Sequence, residues 1–336
     1  MTRPARLFAL AFALVLVAGS TPRAQTPTWP REPEQASAPK PAPPPADVAE
    51  IVGEYANTAG AHLYVLERDG RPWTIVDRGE ARPQQAASDL APTRDARGRV
   101  SGVRLASDTY SRLQVGPDDG GQLKVAPVRP VALVLKESLT AVPPKEAGTF
   151  SPSDLVELVT LDAAIRLDIR YATTNNFLGS VFYAQPRAFL QRPAAVAVAR
   201  VQRALQPLGY GLLVHDGYRP WYVTKTFWEA TPQEKRWLVA NPVSGSKHNR
   251  GAAVDLTLYD LATGAVIEMP STYDESTPRA YAFYPGGTSR QRWHRALLRR
   301  VMEAEGFTVN PTEWWHFDYK DWQSYAIGNV PFEQIR

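Results

Sequence analysis

One run, Ser246-Lys247-His248-Asn249-Arg250-Gly251-Ala252-Ala253-Val254-Asp255-Leu256-Thr257-Leu258, restricts the fold more than any other stretch of the chain. From Ala253 to Leu258 the residues suit a strand. Its alternation turns Val254, Leu256 and Leu258 one way, into a core, and Asp255 and Thr257 the other way, into a cleft. His248 precedes the strand on a loop. Gly251, between them, permits the sharp entry that brings both side chains to one side.

A second run, Glu313-Trp314-Trp315-His316-Phe317, carries matching chemistry. His248, Asp255 and His316 are the imidazole and carboxylate types that hold a catalytic zinc, a site that usually has three protein ligands and a fourth position for water. Glu313 is a carboxylate free to act as the base on that water. In a straight strand Glu313 and His316 would face opposite sides, so Glu313 is expected in a turn ahead of the strand proper. Spacing alone leaves plainer readings open: His248 as a loop histidine, Asp255 as a strand-edge carboxylate, Glu313 as the partner of a nearby arginine. With no cysteine in 336 residues, disulfides, thiolate ligands and a cysteine nucleophile are excluded.

The rest of the chain reads as delivery apparatus and scaffold. Residues 1–24 have the form of a secretory signal: basic Arg3 and Arg6, an apolar stretch from Leu7 to Ala18, and a small, polar end with cleavage expected after Ala24. The expected location is therefore secreted, periplasmic, with no transmembrane segment after removal of the signal. Taking Arg3, Arg6 and Arg23 from 38 basic residues leaves 35 against 34 acidic ones. A chain so near neutrality gives no reason to propose nucleic acid as a partner. Residues 25–47 hold eight prolines and read as a semi-extended linker.

Between 48 and 135 the pattern is β-prone. Two short runs, His62 to Glu67 and Trp73 to Val76, flank Asp69-Gly70, a hairpin turn pair, and Arg99 to Leu105 alternates with period two. This predicts a small antiparallel sheet or barrel, an accessory domain with a structural or binding role and cell-wall material as its candidate ligand. Residues 136–153, with Pro143-Pro144 and Gly148, read as a second linker. From 154 to 336, helices (one opening at Arg192 and ending before Gly209, one from Thr288 to Glu305) mix with strands without regular βαβ alternation. That points to an α+β fold with a central antiparallel sheet and flanking helices. His215 reads as a strand-end residue, His294 as surface and His62 as structural.

Five motifs occur in order: Tyr171-Ala172-Thr173-Thr174-Asn175-Asn176-Phe177, Asp216-Gly217-Tyr218-Arg219-Pro220, Ser246-x-His248-x-x-Gly251-x-x-x-Asp255-Leu256-Thr257-Leu258, Met269-x-x-x-x-Asp274, and Glu313-Trp314-Trp315-His316. Together they resemble the D-alanyl-D-alanine dipeptidases of the vancomycin-resistance type, within the zinc D,D-peptidase family, over residues 155–330. The resemblance implies one zinc on His248, Asp255 and His316, Glu313 as general base, and Arg219 at the oxyanion. It also implies that Tyr171 and Asp274 hold the substrate's amino group while Ser246 lines the pocket. Lys247 is where the chain departs from the family pattern; its ammonium could pair with the substrate carboxylate or point to solvent. The implied substrate is the dipeptide D-Ala-D-Ala. Two rivals are a D,D-carboxypeptidase or L,D-endopeptidase acting on peptidoglycan stem peptides, and a non-catalytic zinc- or cell-wall-binding protein.

Overall fold

The computed structural model describes residues 39–77, 85–86, 90–115 and 123–335. The signal sequence and the proline-rich linker as far as residue 38 lie outside the described residues.

Five strands form the sheet that carries the cleft, in the order Phe307–Asn310, Glu313–Tyr319, Ala253–Asp260, Tyr210–Asp216, Arg166–Leu167. The first four are antiparallel neighbours and the last runs parallel to its partner, so the fold mixes helices with a mainly antiparallel sheet. Ala253–Asp260 is central and almost wholly buried, with Val254, Leu256 and Leu258 in the core as the alternation requires. Helix Arg192–Leu205 starts with a proline in its first turn, where a missing N–H costs nothing, and fully buries Val198, Val201 and Leu205. Each such side chain contributes about 1.5–3 kcal/mol of burial. Helix Ser289–Ala304 begins at Thr288, whose side chain forms a reciprocal capping box with Gln291, and buries Trp293, Leu297 and Leu298.

His294 is not a surface residue. It is 4% exposed, and its Nε2 lies 3.0 Å from the Tyr210 hydroxyl. Desolvation, aided by the Lys40 and Arg290 charges, lowers its pKa to about 4, so it is a neutral core imidazole.

Among the described residues, seven strands build a second, antiparallel sheet in the order Gln85–Ala86, Arg71–Asp77, His62–Arg68, Gly53–Ala56, Asp108–Arg112, Val100–Leu105, Leu90–Arg94. The expected hairpin closes at Arg68 and Arg71, with Asp69 (φ 50°) and Gly70 (φ 75°) both left-handed, the geometry that an Asp-Gly pair favours. His62 is structural there, with Nε2 3.0 Å from Glu54.

The packing does not change at the expected boundary of 135/136. Helix Val131–Leu139 spans it and lies on helix Trp221–Ala230, because Val131 and Val134 need an apolar partner. Upstream, Val125 N–H donates to Phe177 and Val128 N–H to Ala230, so this segment packs with the second half of the chain. The stretch read as a second linker is also tied down: Glu146 pairs with Arg250 and accepts the Ile327 N–H at 2.7 Å.

Gly251 is left-handed (φ 66°), and a Cβ there would come within 2.6 Å of Leu155 Cδ2. Gly251→Ala is therefore expected to cost about 1–3 kcal/mol through backbone strain and overpacking. Thermal unfolding followed by circular dichroism measures it; an unchanged midpoint would show that the loop accepts a left-handed alanine.

Candidate metal centre and cleft

Strand register assembles the centre. Asp255 stands opposite His316 on one side and pairs with Asp216 on the other, beyond an irregularity after Val214, so all three side chains meet on one face. His248 reaches the same point from the short 3-10 turn His248–Arg250, which Gly251 closes in its left-handed conformation. His248 Nε2 lies 3.1 Å from His316 Nδ1 and 3.3 Å from Asp255 Oδ1, and His316 Nδ1 lies 3.0 Å from the same oxygen.

The outer partners decide where the protons are. His248 Nδ1 is 2.8 Å from the Gly217 carbonyl, which can only accept, so the imidazole N–H is there and Nε2 presents a lone pair. His316 Nε2 donates to Asp318 Oδ1 at 2.9 Å, leaving Nδ1 facing inward. Tyr273 donates to Asp255 Oδ2 at 3.0 Å, while the buried Asp255 Oδ1 faces both histidines. Three ligand atoms thus converge at separations of 3.0–3.3 Å. Ligands 2.0–2.1 Å from a tetrahedral centre stand roughly 3.3 Å apart, so the residues present fit a zinc-type ion.

The charge balance favours the same occupant. Asp216 is committed to Arg219, whose Nε and Nη2 donate to its Oδ2 at 3.0 and 2.7 Å, and to the Tyr183 hydroxyl at 2.8 Å. Asp255, Asp274 and Glu313 still share one cleft. Burial, with repulsion from Asp255 and Glu313, pushes Asp274 up to about 8. Burial likewise raises Glu313 above the ordinary carboxylate range, with Asp255 adding to it. A cleft that resists ionising its own acids is short of positive charge, which a dication and a substrate ammonium would supply.

Most residues expected from the sequence come together here. Glu313 Oε2 is 3.7 Å from His316 Nδ1 and accepts from Asn310 Nδ2 at 3.1 Å. It reaches the histidine's side because pairing slips between Val309 and Asn310: Val309 faces Phe317, yet Asn310 faces Glu313. The Tyr171 hydroxyl donates to Asp274 Oδ2 at 3.2 Å, and the Arg219 guanidinium stacks 5.1 Å from the Tyr171 ring centre. Ser246 Oγ accepts the His248 N–H at 3.2 Å and so shapes the turn that carries the histidine.

Lys247 goes elsewhere. Its ammonium is on Asp318 and 5.1 Å above the Trp322 ring, behind His316. His215, a strand residue as expected, stays outside the triad: Nδ1 is 3.4 Å from Asp168, and the ring stacks 4.4 Å from Tyr273. Sequence reasoning missed Asp318 and Tyr273. Asp318 had a signal, since it stands two residues beyond His316 in a strand and must share its face. Tyr273 arrives on a loop and had none.

A family model described as D-ala-D-ala dipeptidase matches residues 151–332. The chain is 32% identical over 175 residues to the D-alanyl-D-alanine dipeptidase of Escherichia coli (strain K12), covering 52% of this chain and 89% of that one. It is 34% identical over 175 residues to the protein of the same name in Enterococcus faecalis (strain ATCC 700802 / V583), covering 47% and 87%. Identity to that of Streptomyces coelicolor is 34% over 179 residues, covering 48% and 89%.

Because Asp318 fixes the His316 tautomer, Asp318→Asn should weaken zinc retention by about 10–100-fold, the usual cost of losing such an outer partner. Competition against a chromogenic chelator measures this without reference to turnover. Retention at the wild-type level would show that the carboxylate does not orient the imidazole.

Proposed function

Because the chain belongs to the D-Ala-D-Ala dipeptidase family, whose members are metallopeptidases, we propose that it hydrolyses free D-Ala-D-Ala with one zinc held by His248, Asp255 and His316. The observation that carries this reading is the convergence of three ligand atoms, from His248, Asp255 and His316, beside a cleft carboxylate, Glu313. A zinc ion bound there supplies Lewis acidity toward a carbonyl and toward water.

The chain's own residues do the rest. Glu313 accepts a proton from the attacking water and returns it to the leaving amine, which suits a carboxylate whose proton affinity is raised by its surroundings. Arg219, buried and fixed by Asp216, presents a permanent positive charge to the oxygen that becomes negative. Asp274, steadied by Tyr171, receives the substrate's ammonium, which compensates the burial that otherwise keeps this acid protonated at neutral pH. Lys247 is engaged with Asp318, so the substrate carboxylate is recognised without it.

The proposed peptidase domain, residues 154–336, is joined by the segment ahead of it that packs against Phe177, Ala230 and Arg250. The N-terminal sheet is read as an accessory all-β domain and residues 1–24 as a signal peptide, so the proposed location is the periplasm. No helix among the described residues is long and apolar enough to cross a membrane.

Glu313→Gln should keep its zinc and lose about 10²–10⁴-fold in kcat on D-Ala-D-Ala, the range for removing a general base. Chelation should abolish activity and zinc should restore it. Free dipeptide and a pentapeptide stem are assayed side by side. Preference for the pentapeptide would transfer the assignment to a D,D-carboxypeptidase, and full activity in Glu313→Gln would remove the base.

A further inference from the structure

The loop Pro270–Arg279 delivers two groups to the cleft, Tyr273 against Asp255 and Asp274 against Tyr171. One residue of the loop, Asp274, sits at φ 58°, a left-handed conformation that aspartate enters more readily than most residues but still at a cost. Such geometry persists only where the surroundings over-determine it.

The restraint comes from one guanidinium and one buried acid. Glu275, next to Asp274 and 4% exposed, accepts the Thr272 N–H at 3.3 Å and the Thr277 hydroxyl at 2.5 Å. Arg279 Nε lies 3.4 Å from Glu275 and donates at 3.1 Å to the carbonyl of Pro270, so the two ends of the loop are tied together. Its Nη1 donates at 2.9 Å to the carbonyl of Val115, in the segment that follows the last strand of the N-terminal sheet. Beside this contact the seam between sheet and loop is hollow over about 650 Å³, so Arg279 spans a gap.

The sheet itself is firmly seated just beyond the loop. Tyr284 donates to Glu54 Oε1 at 2.8 Å, and Ser289 N–H, at the start of its helix, donates to Glu67 Oε2 at 2.7 Å. Arg292 Nη2 donates at 2.7 Å to the Glu67 carbonyl, and Tyr64, Leu66, Ile75 and Tyr284 form one apolar cluster. Val115, Glu54 and Glu67 all precede residue 151, outside the stretch shared with the dipeptidases.

We propose that the N-terminal sheet acts as a brace for the substrate loop, with Arg279 as the positioning residue that transmits its hold to Tyr273 and Asp274. The consequence for dipeptide binding rests on the reading of Asp274 as the ammonium partner. The sheet would thus set substrate affinity from outside the peptidase domain.

Full-length variants test this. In Arg279→Gln, KM for D-Ala-D-Ala should rise about tenfold, the scale for losing a charge-assisted hydrogen bond, with kcat within about threefold of wild type. Hydrogen exchange by mass spectrometry should show faster exchange in residues 271–277 and unchanged exchange in Ala253–Asp260. Arg279→Lys should recover part of the KM. Tyr284→Phe, which loosens the sheet without touching the loop's own bonds, should shift KM and loop exchange the same way by a smaller factor. Wild-type KM and loop exchange in Arg279→Gln would overturn the brace. So would faster exchange spread evenly through Ala253–Asp260, the mark of general destabilisation. Asp274→Asn separates the two claims: an unchanged KM there refutes the ammonium reading, while faster loop exchange in Arg279→Gln still supports the brace.

Discussion

Two imidazole nitrogens and a carboxylate oxygen meet within 3.0–3.3 Å of one another in a dry cleft, a cluster that needs positive charge among its members. The surrounding structure fixes all three side chains in that arrangement. The Gly217 carbonyl and Asp318 keep the two rings from rotating, and Tyr273 occupies the other oxygen of Asp255. Burial disfavours charge on His316, yet hydrogen bonds to Asp255 and Asp318 lift its pKa to about 10. A proton is therefore the natural competitor of the metal, and binding the ion displaces it.

The sheet is what makes such a costly arrangement affordable. Asp216, Asp255 and His316 come from three adjacent strands whose opposite faces bury Val214, Leu256 and Phe317 without exposure. For Asp255 and His316, apolar burial on one face and polar convergence on the other are the same fact of strand alternation, while Asp216 joins them because pairing slips after Val214. A slip of one residue in the central strand would turn Asp255 into the core and Leu256 into the cleft. The hydrophobic pattern thus fixes the register, and the register fixes the ligand set.

This explains what the sequence disclosed. Asp255, His316 and the core face beneath them follow a period of two and could be read directly. The Gly251 turn and the Asp69-Gly70 hairpin depend on backbone conformations that few residues adopt, so they were legible too. Glu313 was half legible: spacing showed that a regular strand could not place it, but not that pairing would slip between Val309 and Asn310. Tyr273 and the contact between Arg279 and Val115 were hidden, because loops carry no period and a backbone carbonyl has no residue-type signature. His294 read as surface, and residues 131–139 were split between the β-prone region and a linker, for a related reason. Each is buried by a partner far away in the chain, Tyr210 in one case and helix Trp221–Ala230 in the other.

Lys247 shows how charge balance can outweigh reach. Its position next to a ligand histidine suggested a hand for the substrate carboxylate. Yet behind His316 lies Asp318, its side chain 13% exposed, in a region that already holds Asp255, Asp274 and Glu313. A further uncompensated carboxylate there would carry a large desolvation cost. Burial opposes ionisation of Asp318, but the charges and hydrogen bonds of His316 and Lys247 overcome it and hold its pKa below the usual range. His248 needs no such counter-ion, because its partner is a neutral carbonyl. The two histidines are therefore backed differently, one by the rigid backbone of Gly217 and one by a carboxylate that a lysine keeps charged. A lysine at position 247 follows from that asymmetry, and its chemistry is directed at the ligand rather than at the dipeptide.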